Sequence, residues 1–179
     1  MMCRRVLSIA ATLVVAGSTI LVGAAAAGTE TTPHPAGVHS GSCPDVGDVV
    51  APLWDVSSQL LVDGTPTVTE PVGPAGAIPV EASVTTIPIG YADLVASEHS
   101  LVVRESADEA TPTILCGDIG GAAMGPADLA IGLGPVGESG FTGIATLHDN
   151  ADGSTRVSVY IVSPQHLGTT EEAEGSSAP

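Results

Sequence analysis

The sequence contains no lysine, and its only cations are four arginines, two of which fall within the first five residues. All twenty acidic residues lie after position 28, where only Arg104 and Arg156 oppose them, so that stretch carries a net charge of −18. A surface of this kind repels nucleic acid and anionic membranes, which sets both aside as partners. It suits a salt-rich medium, where screening over a few ångströms removes the self-repulsion. Aromatic residues are equally scarce, with one Trp, one Phe and two Tyr. The core must therefore be filled by Val, Ile, Leu and Ala. Fourteen prolines and twenty-two glycines leave no uninterrupted stretch with the 3.6-residue period of a long helix.

The first five residues, ending in Arg4-Arg5, give a positive start to an uncharged run from Val6 to Gly23, and Ala24 to Ala27 offer Ala-x-Ala cleavage sites. This is the pattern of a signal peptide over 1–27. The alternative is a retained anchor, since the run is about long enough to span a bilayer. The absence of a following positive stop favours cleavage, after which no membrane insertion is expected. A linker over 28–33, one domain over 34–165 and an acidic, Ser/Ala-rich disordered tail over 166–179 complete the expected organisation. Roughly 150 residues remain after cleavage, enough for one domain.

Short strands are what this composition allows. Val80 to Val84 alternates apolar and polar side chains, and Leu101-Val102-Val103 is a compact apolar run. Residues 140–147 and 155–162 read as two arms of a hairpin around Asp149-Asn150-Ala151-Asp152-Gly153, with Val157, Val159 and Ile161 on one face. Several short strands separated by turns imply an all-β sandwich or barrel.

Few groups are available for chemistry. Cys3 falls inside the export segment, which leaves Cys43 and Cys116. In an oxidising compartment such a pair reads first as a disulfide, the alternative being a thiolate metal site. His34 and His39 lie five residues apart beside Cys43, either as a partial copper or zinc site or as a linker and a loop histidine. His99 is a third imidazole that would join them if the strand entering Leu101 lay beside the first segment. His148-x-Asn150-x-Asp152-Gly153 has an outline of a calcium loop, but Val159 stands where a bidentate glutamate is needed, so a plain turn is expected. Ser40 and Ser42 beside His39 lack a nucleophile-elbow pattern, and the 117–121 glycines lack the context of a phosphate loop.

Leu101 to Glu109, reading LVVRESADE, and Leu115 to Gly120, reading LCGDIG, together resemble the copper-zinc superoxide dismutase pattern LVVHExADD…ACGVIG. Gly37-Val38-His39 followed by Cys43 is similar to that family's GFHVHE segment, whose following cysteine pairs with the cysteine of ACGVIG. The chain also resembles the chordin-type (CHRD) domain, and a group of secreted bacterial proteins carrying HPAHIHxGxC, VHKS, ACGxIGG and DNGDGT. The resemblance implies a Greek-key β-sandwich of superoxide-dismutase-like type, pinned by Cys43 and Cys116. The 140–162 hairpin resembles that family's first two strands but lies at the opposite end of the chain, as in a circular permutation. Residue by residue, the copper-ligand positions fall on Gly37, His39 and Arg104, so two of three are degenerate. The expectation is a secreted or cell-surface, non-catalytic binding or structural module with an unknown extracellular partner. The alternative is an extracellular copper-binding protein with superoxide dismutase activity, in which His34, His39 and His99 hold copper.

Overall fold

Proline and glycine punctuation cuts the chain into strands of two to eight residues, and packing joins them into one sheet. The computed structural model describes residues 32–67, 74, 77–108 and 110–164. The described residues belong to one compact unit. The expected export segment and acidic tail lie outside the described residues, as does most of the expected linker.

The fold is all-β. Its strands are β1 (Ala36–Ser40), β2 (Val49–Pro52), β3 (Leu61–Val62), β4 (Thr65–Pro66), β5 (Glu81–Ile87), β6 (His99–Arg104), β7 (Thr113–Asp118), β8 (Ala122–Gly125), β9 (Asp128–Pro135), β10 (Thr142–Asp149) and β11 (Thr155–Val162). A six-residue helix, α1 (Tyr91–Ala96), precedes β6. Across the sheet the order is β2-β1-β6-β7-β9-β10-β11-β5-β3-β4, with β8 beside β9.

The sheet curls because its two halves share one apolar interior. Val38, Leu101, Val103 and Leu115 come from β1, β6 and β7, while Ile131, Leu147, Val159 and Ile161 come from β9, β10 and β11. Aliphatic residues supply nearly all of this core, as the shortage of aromatics requires. The bend falls between β7 and β9, which share only two paired positions, Leu115↔Pro135 and Cys116↔Gly134. Gly117 makes the corner possible, since a Cβ there would stand 2.3 Å from the Gly132 carbonyl oxygen. At the far side the segment after β2 turns back toward β5. His34 and Val56 exchange backbone hydrogen bonds of 2.9 and 2.8 Å, and Ser57 and Ala82 exchange bonds of 3.4 and 2.9 Å. Residues 53–57 thus link the segment carrying His34, just before β1, to the opposite end of the sheet.

The hairpin of β10 and β11 pairs from Thr142↔Val162 to Asp149↔Thr155, with Val157, Val159 and Ile161 all buried. Its turn is held by Asp149 Oδ1 accepting from Ala151 N at 2.9 Å and Asp152 Oδ1 accepting from Ser154 N at 2.9 Å. The Ser154 hydroxyl also donates to Asp152, and these bonds hold the Asp152 carboxyl below the ordinary aspartate range.

β5 alternates as expected of a strand, but its polar side faces inward. Glu81, Ser83 and Thr85 are buried, whereas Val80 is exposed and Ala82 and Val84 are half-buried. Thr85 Oγ1 accepts from Trp54 N at 2.9 Å, and Asp63 Oδ1 accepts from Thr86 N at 2.6 Å, which fastens the β3–β4 hairpin and the 53–57 segment to β5.

Asp63 and Gly64, with φ of 45° and 76°, make the two-residue turn between β3 and β4. Trp54 lies over that glycine, where a Cβ would stand 2.5 Å from the indole ring. Gly64→Ala is expected to push the ring outward and to cost about 1 to 2 kcal/mol from positive φ and steric displacement together. Trp54 is the only tryptophan, so the shift reads directly as red-moved fluorescence. Unchanged emission and melting would mean that the ring does not rest on the turn.

Candidate functional site

β1 and β6 pair with Gly37 opposite Val102, Val38 opposite Leu101 and His39 opposite Ser100. Val38, Leu101 and Val103 point into the core, so Gly37, His39, Val102 and Arg104 belong to the outer face. They line a shallow pocket of about 190 Å³ together with Pro35, Val49 and Pro52. The three positions that the resemblance aligns with copper ligands are therefore neighbours, and a Cβ on Gly37 would lie 3.4 Å from His39 Nε2.

The residues around His39 fix its chemistry. Its Nδ1 is 3.0 Å from the Gly47 carbonyl oxygen, which can only accept, so Nδ1 carries the proton and Nε2 the lone pair. Gly47 belongs to the 41–48 loop, which folds over the outer face and is fastened there by two further contacts. Cys43 and Cys116 form a disulfide with Cα atoms 5.9 Å apart, and Cys43 N donates to Asp118 Oδ1 at 2.7 Å. Arg104 turns its guanidinium to the following loop, where Nη2 donates to the carbonyls of Asp108 and Thr111 at 3.3 and 3.1 Å.

The other two histidines lie elsewhere. β6 does run beside β1, but Ser40, not His39, faces His99, so the His39 and His99 rings leave opposite faces of the sheet. His99 Nδ1 donates to the Leu94 carbonyl at 3.1 Å, tying β6 to α1. His34 is buried at one end of the core, where Nδ1 donates to the Glu105 carbonyl at 2.8 Å and Nε2 lies 3.6 Å from Glu81 Oε2. Its ring meets Phe141 edge-on with centroids 5.2 Å apart. The arrangement His34, His39 and His99 around one ion is thus not what the strands build. Among the described residues no three His, Cys, Asp or Glu side chains are grouped as a metal ion requires.

Sequence reasoning missed the buried His34–Glu81 contact and the Asp118 anchor of the 41–48 loop. Glu81 carries a weak signal, being an acid at the head of a strand in which Ser83 and Thr85 follow at period two. His148 Nδ1 and Asp128 Oδ1 form a partly exposed contact of 2.6 Å at the edge of β9 and β10. No helix among the described residues is long and apolar enough to cross a membrane. No protein-family description, no curated protein and no solved structure matches the chain.

Proposed function

We propose that the protein is an exported, superoxide-dismutase-like β-sandwich that acts as a non-catalytic binding or structural module, and that the Gly37–His39–Arg104 pocket is a degenerate copper site. The observation that carries this reading is that the three aligned positions share one pocket with a single imidazole among them. Glycine offers no ligand, and Arg104 brings a fixed positive charge with no lone pair to give. Copper needs three or four donors in a mostly imidazole field, so this residue set does not fit it. The Cys43–Cys116 disulfide supports a compartment outside the cytoplasm.

A permuted Greek key is supported by the order of the strands. β2 is followed by β3, β4 and β5 at the other end of the sheet, and β6 then returns beside β1, giving two long crossing connections. The hairpin that the resemblance assigns to the start of the family's chain comes last here. It nonetheless sits two places from the Cys116 strand.

One observation favours the alternative, a copper-binding protein with superoxide dismutase activity. His34, His39 and His99 each donate Nδ1–H to a backbone carbonyl, which for His39, in the pocket, is the orientation that prepares Nε2 as a metal ligand. Titration with Cu(II) separates the two readings. The degenerate site is expected to give no stoichiometric d–d absorption band at micromolar protein, whereas Gly37→His with Arg104→His should tighten copper binding tenfold or more, about 1.4 kcal/mol. A stoichiometric band in the unaltered protein that disappears in His39→Ala would overturn the non-catalytic reading.

A further inference from the structure

Every described acidic residue lies in a loop, a turn, helix α1, or the first or last position of a strand. Among the described residues the middle of the outer face of β9, β10, β11 and β5 is consequently free of acid, in a protein of net charge −16. Its central row runs Gly132, Ile144, Tyr160 and Ala82, each directly opposite the next. The rows on either side, through Thr142 and Val162 and through Thr146 and Ser158, are uncharged as well. Charge begins only one row further, with His148 beside Arg156 and Asp128. Ile144 and Tyr160 stand up as a ridge, 54% and 37% exposed. Beside them Gly132 leaves a trough, where an added Cβ would meet nothing within 4 Å.

We propose that this face is an interface between two copies of the chain. Charge selects the occupant. A cationic partner would be drawn to the acid-bearing loops and edges, where this face has nothing to offer it. A second copy is repelled by those same loops and edges, and can come close only where neither surface bears acid. A two-fold axis along the strands between β10 and β11 sets Ile144 of each copy against Tyr160 of the other and Gly132 against Ala82, so the two rows meet over their full width. Sheets packed face to face in this way interleave side chains over about 10 Å. Four strands by three rows cover about 20 by 20 Å, on the order of 400 Å² per copy before flanking loops are counted. That lies below the standard interface, so a dimer in the micromolar range is expected and not an obligate one.

Sedimentation equilibrium of the purified protein tests this across concentration and salt. A dimer is expected whose affinity rises about tenfold or more between roughly 50 mM and 1 M NaCl, because screening removes repulsion between copies. Ile144→Asp with Tyr160→Asp should be monomeric throughout. Gly132→Glu, at a site with room for a side chain, should weaken the dimer at least as strongly while melting like the parent. Val95→Asp, exposed on α1, should leave the dimer intact. A monomer at about 100 μM protein in 1 M salt would overturn the proposal. So would a dimer that salt weakens, the signature of charge pairing, or one that survives both face variants.

Discussion

Cys43→Ser is expected to lower the stability of the oxidised protein by about 4 kcal/mol, a drop in melting temperature of roughly 10 °C for a domain of this size. The bond closes a separation of 73 residues, which in loop-closure terms is a large share of the 5 to 15 kcal/mol that holds a typical domain together. It ties the 41–48 loop to β7, two strands across from the β1 strand that the loop leaves, so it closes over β6. Cys116 is buried, and serine at position 43 would leave its thiol without a partner in that outer layer. Because the loss acts through the cross-link, parent and variant should melt together in reductant. The check is a pair of thermal melts, with and without a thiol reductant. Coincident oxidised melts would mean that the bond contributes nothing to stability in solution. A variant that stays less stable in reductant would place its effect in local packing. The same variant bears on the pocket, since the loop carries the Gly47 carbonyl that orients His39.

Much of the architecture could be read in advance, for reasons that belong to particular residues. Val157, Val159 and Ile161 alternate without interruption, and a period of two in β-branched residues has no helical reading. The Asn/Asp/Gly cluster at 149–153 supplied the turn between the two arms. The glycines at 117–121 lack the context of a phosphate loop, and Gly117 serves the fold by having no side chain, because the Gly132 carbonyl crowds its position. β5 was harder, since alternation marks a strand without saying which side is in. There Glu81 and Thr85 face inward because their partners, His34 and the Trp54 amide, come from the segments that close the sheet, and Ser83 between them follows by alternation. Those partners are 47 and 31 residues away, beyond any local pattern. The β3–β4 hairpin leaves no periodic signal although Asp63-Gly64 is a hairpin dipeptide, because two-residue arms are too short to show a period. The histidines could have been sorted by parity. His34 and His39 differ by an odd number and so must leave opposite faces of a continuous strand. Gly37 and His39 differ by two and share a face.

That sorting gives His34 a structural task, and its removal carries the second large expected effect. His34→Leu should destabilise the fold by about 3 kcal/mol, because Glu81, an acid only 4% exposed, loses the imidazole beside it and gains an apolar neighbour. The edge contact with Phe141 and the bond to the Glu105 carbonyl are lost with it. Glu81→Leu should cost less, about 1 kcal/mol. The imidazole still donates Nδ1–H to the Glu105 carbonyl, and only its Nε2 side is left facing hydrocarbon. The double variant should fall well short of the sum, with a coupling of about 1.5 kcal/mol or more, since replacing both polar partners by apolar groups leaves neither one buried without the other. Denaturant melts of the four proteins give the cycle directly. Additive losses would mean that the two groups do not interact across their 3.6 Å separation. Nearly unchanged stability in His34→Leu, accompanied by weaker copper binding, would instead return the residue to the role of a ligand. An imidazole fixed at the closed end of the core, with both nitrogens directed at protein atoms, is arranged to hold β1, β5 and the loop after β6 together.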